Sequence, residues 1–519
     1  MPELAAGRGR GAKFVVGVFW NGLGVAAGLA AGLLLSPYLI RKLGPDGYGV
    51  WALSFALIEY YWLLDLGFRS ATVKFVAHYR TLEEPAKVGE VVSTALLYSS
   101  GAAAVIITAI VFLAPWLQQR FKIAPVYQLT FVRLIVIVSV SWCISIVFGV
   151  FGAALEAVQR FDLASRATIV GTVTRTLGTF ILLYLGYSLI EIGILAALTQ
   201  MLTFVLQYQS FRIVFPGQGI GPRYASVPML KQMMGFGVHT FFVNVSQQFL
   251  TQSAPLLIGH FQPAMFVGFY ALPVRLLQYT VELVGRIGLV TNSNAAEMSA
   301  RNDYRALGQL AVYSNRYCLI LFMPMAILLA TQGQALFQRW VGPEFAKYSA
   351  PILPVLLLGS MLAIVGQFSS TMLLQGLAKH QTYARGLMVE AILGIAALWF
   401  VIPVYGIVGA AWVSSIFMIA NRCLFISWLT SRVVGMSFAG FLASVYAAPL
   451  LSAIPVFGLA WWLHSTLLPG VTWMQLAAAG LLIGVAYYGT AFFFVLSQAH
   501  RSIVVGWAGR VWALRPNRA

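Results

Sequence analysis

Six arginines of this chain fall inside long apolar stretches: Arg133, Arg175, Arg275, Arg286, Arg316 and Arg422. A guanidinium at the centre of a membrane helix costs roughly 2.5–3.5 kcal/mol on insertion scales, so it faces a wet cavity or an acidic partner. Arg175 stands among Thr172, Thr174 and Thr176 with no acid one helical turn away. It either lines a cleft and meets an anionic substrate or pairs with an acid on another helix. Arg275, Glu282 and Arg286 are spaced by 7 and 11 residues, which puts them within about 20° on one helical face. Glu282 and Arg286 are also an i,i+4 pair. That face carries one net positive charge toward a cleft, or it is an ion-pair stripe between helices. Arg422, next to Asn421, either touches an anionic group or snorkels to the headgroups. Arg133 and Arg316 lie near the ends of their stretches, where snorkelling is expected.

The acids inside apolar stretches are Glu59, Asp65, Glu191, Glu282 and Glu390. Glu59 sits mid-stretch before Tyr60, Tyr61 and Trp62 with no local base. It is either a protonation switch that couples transport to a gradient or a neutral, hydrogen-bonded glutamic acid. Asp65 precedes Arg69 by four residues, so a structural pair is expected there, with coupling as the alternative role. Asn244 and Gln248, with Gln247, Thr251 and Gln252, form a broad polar face. Cys143, Cys318 and Cys423 form no CxxC, and the 6 histidines show no zinc spacing. No metal or cofactor is expected, and the cysteines read as small buried residues.

The elements that position these side chains follow from composition. Of 519 residues, 60% are hydrophobic and 9% charged, against about 25% charged in an average soluble chain. A single water-soluble core and a disordered chain are both excluded. Spanning helices need about 20 mostly apolar residues. About fourteen stretches qualify, near 14–40, 48–68, 91–117, 131–154, 163–186, 188–211, 232–258, 264–290, 310–331, 349–375, 384–404, 406–430, 440–463 and 474–497. Adjacent spans abut at tight turns at Gly186–Ser188 and Tyr405–Gly406. The expectation is an all-α polytopic membrane protein. The net charge of +18 comes from short loops rather than from a nucleic-acid surface. Lys and Arg outside the spans divide 21 to 6 between the two sides, which puts both termini in the cytoplasm. No inserted catalytic domain is present, the longest connecting loops running to only about 25 residues, and no nucleotide-binding motif appears. An enzyme is not expected. In the first span Gly24, Gly28 and Gly32 suggest close backbone packing.

Shifted by about 219 residues, the chain partly matches itself. Pro37 to Ile40 fall on Pro255 to Ile258, Pro45 falls on Pro263, Gly49 on Gly268, and Ala52-Leu53 on Ala271-Leu272. Six spans per copy make the repeats parallel. The expected architecture is two lobes around a central cleft, 1–215 and 216–435, then two extra helices in 436–498 and a basic cytoplasmic tail, 499–519.

The run Pro37-Tyr38-Leu39-Ile40-Arg41-Lys42-Leu43-Gly44-Pro45-Asp46-Gly47-Tyr48-Gly49, then Trp51-Ala52-Leu53 and Leu64-Asp65-Leu66-Gly67, resembles the start of Wzx-type oligosaccharide-lipid flippases. These belong to the multidrug/oligosaccharidyl-lipid/polysaccharide exporter superfamily. The specific part covers about 70 residues. The resemblance implies a flippase in the cell (inner) membrane that moves an undecaprenyl-diphosphate-linked oligosaccharide to the outer leaflet. It also implies membrane lipids as surroundings, H+ or Na+ as coupling ion and a polysaccharide polymerase as partner. Arginines suit a diphosphate because guanidinium grips phosphate in a fork. Arg175, Arg275, Arg286 and Arg422 are then the candidate diphosphate contacts, Glu282 tempers that charge, and Asn244 and Gln248 could bind sugar hydroxyls or bond between helices. Glu59 and Asp65 are the candidate coupling acids. A gradient-driven exporter of a small molecule from the same superfamily is the alternative, and a membrane glycosyltransferase or ligase a more distant one.

Overall fold

The structure is a computed structural model that describes residues 2–377, 380–467, 472–498, 500–502 and 505–506. Within these, the side chains of 2–19, 21, 62, 236–244, 283, 286–290, 293, 380–381 and 467 are not described. With almost no water to satisfy it, a backbone in a bilayer bonds to itself, and this one does so as helices. They are α1 (Pro2–Ile58), a 3₁₀ segment (Glu59–Asp65), α2 (Phe68–Thr81), α3 (Pro85–Arg120), α4 (Gln128–Ala157), α5 (Phe161–Tyr184), α6 (Leu189–Val214), α7 (Val227–Phe261) and α8 (Met265–Ala300). After these come α9 (Tyr304–Trp340), α10 (Pro343–Tyr348), α11 (Leu353–Gln367), α12 (Ser369–Gly376), α13 (His380–Met418), a π-helical turn (Ile419–Ile426), α14 (Ser427–Val433), α15 (Phe438–Leu467) and α16 (Trp473–Phe494).

Ten helical stretches among the described residues are long and apolar enough to cross a membrane. Two are far too long for one crossing. Gly22–Asp65 has 44 residues and Thr382–Val433 has 52, about 66 and 78 Å of helix against a hydrocarbon core of about 30 Å. Each breaks at one glycine with positive φ: Gly44 (φ 71°, ψ 174°) in α1 and Gly406 (φ 57°, ψ −144°) in α13. A side chain there would be strained. The Gly406 break is the tight turn expected at Tyr405–Gly406. The turn at 186–188 is also present: Gly186 has φ 89°, and Ser188 with Glu191 forms a capping box for α6, satisfying two amide donors that would otherwise be orphaned.

Two compact units result, Met1–Ala271 with Ala391–Ala410, and Leu272–Glu390 with Ala411–Ala519. The first holds a core of Phe68, Phe75, Val91, Phe151, Phe211 and neighbours from α2, α3, α4 and α6. In the second, Met323 and Ile327 of α9 pack with Val456 of α15 and Ile483 and Tyr487 of α16. Gly24 and Gly28 of α1 make no close backbone approach among the described residues. A Cβ on Gly28 would meet nothing within 4 Å, and on Gly24 only an Ile169 side-chain atom at 3.8 Å.

Close approach occurs at Gly49 instead. A Cβ there would lie 2.2 Å from the Ala264 carbonyl oxygen and 2.6 Å from Met265 Cα. One on Gly268 would lie 2.9 Å from Tyr48 and 3.3 Å from the Gly49 nitrogen. The short link from α7 to α8 is held beside these glycines by Lys122. Its N–H donates to Gly259 O (3.0 Å), its carbonyl accepts from the Ala264 N–H (3.0 Å), and its ammonium donates to Phe261 O (2.8 Å) at the carboxyl end of α7, where a cation suits the helix dipole.

Candidate functional site

In the first unit the chemistry gathers around the 3₁₀ segment that interrupts the helix between α1 and α2. Leu66 (φ 46°) and Gly67 (φ 79°) are both left-handed, which turns the chain sharply. Asp65 accepts the Arg69 backbone N–H at 3.4 Å, and the Tyr98 hydroxyl donates to Leu64 O at 2.8 Å. The Leu-Asp-Leu-Gly run is therefore a turn whose acid caps the helix after it. The expected Asp65–Arg69 side-chain pair is corrected. The Arg69 guanidinium instead donates to Glu156 at 2.6 Å, an acid on α4, because the left-handed turn commits the Asp65 carboxylate to backbone.

Glu59 opens this segment and is half-buried. Its neighbours fasten the segment to two helices. Tyr60 bonds Ser253 of α7 at 3.1 Å and packs edge-on to Phe249. Tyr61 bonds Ser139 of α4 at 2.8 Å. One residue before Phe249 lies Gln248, whose side-chain nitrogen is buried without a hydrogen-bond partner among the described residues. An unpaired buried amide is costly and marks a place where a partner could enter. The side chain of Asn244 lies outside the described residues.

Arg175, near the middle of α5, is exposed. Thr176 and Thr179 turn their hydroxyls back onto carbonyls of their own helix, at 2.7 Å to Thr172 O and 2.7 Å to Arg175 O. In α8 of the second unit, Arg275 and Glu282 are both exposed, as residues on one face should be, and Arg275 Nε donates to the Tyr279 hydroxyl at 3.4 Å. The side chain of Arg286 lies outside the described residues.

Arg422 departs from expectation. It is 6% exposed and faces Glu390, itself 3% exposed, with Nε 3.9 Å from the carboxylate. In this structure it neither snorkels nor is offered to a ligand. Asn421 Nδ2 donates to the same oxygen at 2.6 Å, while Asn421 Oδ1 is buried without a partner among the described residues. The widened π turn lets both residues reach Glu390 from adjacent positions. Gly366 and Gly386 make room: a Cβ on the first would lie 1.9 Å from Arg422 O, and on the second 2.9 Å from Asn421 Oδ1. Sequence reasoning named both charges without joining them. The available signal was depth: each lies sixteen residues from Gly406, hence about 24 Å of helix from the turn between them. Arg316 is corrected too, since it is half-buried, donates to Ser444 O and lies over the Tyr313 ring at 5.5 Å. The three cysteines are free and buried, as expected.

A family model described as "Polysaccharide biosynthesis protein" matches residues 14–290. Curated relatives include a "Putative O-antigen transporter" of Shigella flexneri, 21% identical over 80% of this chain and 97% of its own length. Another is the "Uncharacterized membrane protein EpsK" of Bacillus subtilis (strain 168), 23% identical over 91% of this chain and 93% of its own. Among solved structures, the lipid II flippase MurJ in an inward closed conformation superposes with a TM-score of 0.70, 15% identity and coverage of 92% and 98%. An inward-facing multidrug resistance MATE family transporter of the MOP superfamily gives 0.68, 12%, 80% and 96%. The all-helical fold is therefore shared with these transporters.

Proposed function

The chain belongs to the polysaccharide biosynthesis protein family, and on that premise we propose that it is a flippase for a lipid-linked oligosaccharide. The substrate proposed is an oligosaccharide on undecaprenyl diphosphate, carried from the cytoplasmic to the outer leaflet of the cell (inner) membrane. Both chain termini are cytoplasmic in this reading. Fourteen crossings are proposed, in two six-helix repeats (1–215 and 216–435) that alternate access, with 436–498 as an addition. The meeting of Gly49 with Gly268 supports the repeat, because residues matched by a two-fold relation come together where its axis passes. The reading is carried by one observation: Arg175 is exposed within a helix long and apolar enough to cross a membrane, and Arg275 is exposed on α8. An arginine so placed costs too much to face lipid and instead faces water and an anion. A diphosphate bears about two charges, and one guanidinium contact at about 4 Å contributes roughly 4 kcal/mol at an effective dielectric near 20, before desolvation. Glu282, Arg286, Asn244 and Gln248 complete the proposed substrate face, and Glu59 with Asp65 remains the proposed H+ or Na+ coupling element. Arg422 is proposed to act through its pair with Glu390 rather than by touching substrate.

The test is export in a strain lacking the gene. Arg175→Ala and Arg275→Ala are each expected to abolish surface glycan and leave lipid-linked oligosaccharide in the cytoplasmic leaflet, at undiminished membrane levels of the protein. Normal export by both variants would remove the proposal. Loss of drug resistance with glycan export intact would favour a small-molecule exporter.

A further inference from the structure

The second unit contains a crevice of about 570 Å³ at the end formed by the carboxyl ends of α9 and α15, by α10 and by the start of α11. It lies far along α9 from the residues considered so far. Three elements give it a mixed lining. Thr331, Gln334 and Gln338 come from one stripe of α9, spaced i, i+3 and i+7 so that they share a face. From α15 come Trp461 and His464, their rings 5.9 Å apart. Lys347 of α10 adds a cation, exposed and resting on the Tyr348 ring at 5.0 Å.

These groups look unfinished as a protein surface. Trp461 is 59% exposed, although an indole face is among the largest apolar surfaces a side chain offers. The two glutamines point to solvent. His464 Nδ1 is buried and has no hydrogen-bond partner among the described residues, a cost normally avoided. A flat aromatic face beside two exposed amides and an imidazole nitrogen matches one ligand chemistry closely. The apolar face of a sugar ring stacks on the indole, and amides supply both donors and acceptors to its hydroxyls. Lys347 selects sugars that carry a carboxylate or phosphate. A detergent or acyl chain would leave those polar groups unmet.

We propose that this crevice is a saccharide-binding subsite for an acidic oligosaccharide, which it receives on the side of the membrane opposite the chain termini. This rests on the reading of the chain as a glycan flippase. The side is assigned by charge bias, since residues 332–348, the end of α9 with α10, are on the Lys- and Arg-poor side. A subsite there would hold the headgroup after it has crossed and oppose its return.

The test is calorimetric titration of the full-length chain in lipid nanodiscs with two soluble probes, hexagalacturonate and maltohexaose. Trp461 and Lys347 are both exposed, so Trp461→Ala and Lys347→Gln leave the packed core alone. Saturable binding of hexagalacturonate is expected, weakened at least tenfold by either substitution, with maltohexaose at least tenfold weaker and insensitive to Lys347→Gln. No saturable binding of either probe, or binding that both substitutions leave unchanged, overturns the proposal. A parallel proteoliposome assay follows a lipid-linked oligosaccharide. Translocation without probe binding discards the crevice alone, whereas probe binding without translocation discards the flippase reading.

Discussion

Glu390→Gln removes the only acid that an ion-pair contact gives to Arg422 among the described residues. The guanidinium is 6% exposed and cannot shed its charge at any accessible pH. At 3.9 Å and an effective dielectric near 20, the lost attraction is roughly 4 kcal/mol. That agrees with the roughly 3–5 kcal/mol measured when one partner of a buried pair is removed. Arg422→Met is expected to cost less, roughly 1–2 kcal/mol. The carboxyl left behind can take up a proton and keep its bond from Asn421 (2.6 Å), and methionine fills much of the vacated volume. The double variant leaves no buried charge and should cost only about 2 kcal/mol, giving a coupling of roughly 3–4 kcal/mol in a double-mutant cycle. Reversible unfolding of the four proteins in mixed micelles reads these differences. If Glu390→Gln lies within about 1 kcal/mol of the parent, or if the two effects simply add, the pair is not a shared electrostatic unit and the reasoning fails.

Two further outcomes follow from packing and topology. Gly49→Ala would drive a methyl to 2.2 Å from the Ala264 carbonyl and should destabilise by more than about 2 kcal/mol. Gly28→Ala meets nothing within 4 Å and should be neutral or stabilising by up to about 1 kcal/mol; unfolding midpoints that rank the two the other way contradict the close approach. For orientation, a membrane-impermeant maleimide on intact spheroplasts should label Gln338→Cys and spare Arg80→Cys. The three native thiols are buried and supply little background, and the opposite labelling pattern would invert the topology.

Much of the fold was legible because the bilayer enforces a simple rule. A run of about 20 apolar residues must be a helix there, so the helices could be placed, although several run well past the stretch that marked them: α8 continues to Ala300 and α9 covers Tyr304–Trp340. Glycines at 186 and 406 marked two of the turns. The family-like run near Gly44 was equally visible, though not its purpose. Gly44 bends α1, Gly47 leaves room for Tyr127, whose hydroxyl bonds Leu43 O at 3.1 Å, and Gly49 admits the backbone of Ala264.

The amino-acid order alone thus determined a many-helix membrane protein and the helix face on which each charge lies, because hydropathy and a 3.6-residue period are local properties. Which charge meets which was decided only by the tertiary structure. Arg69 chose Glu156 on α4 over Asp65 four residues away, and Arg422 found Glu390 through a π turn and two glycines. Ion pairing falls steeply with separation and depends on desolvation, and both are set by how helices distant in sequence pack.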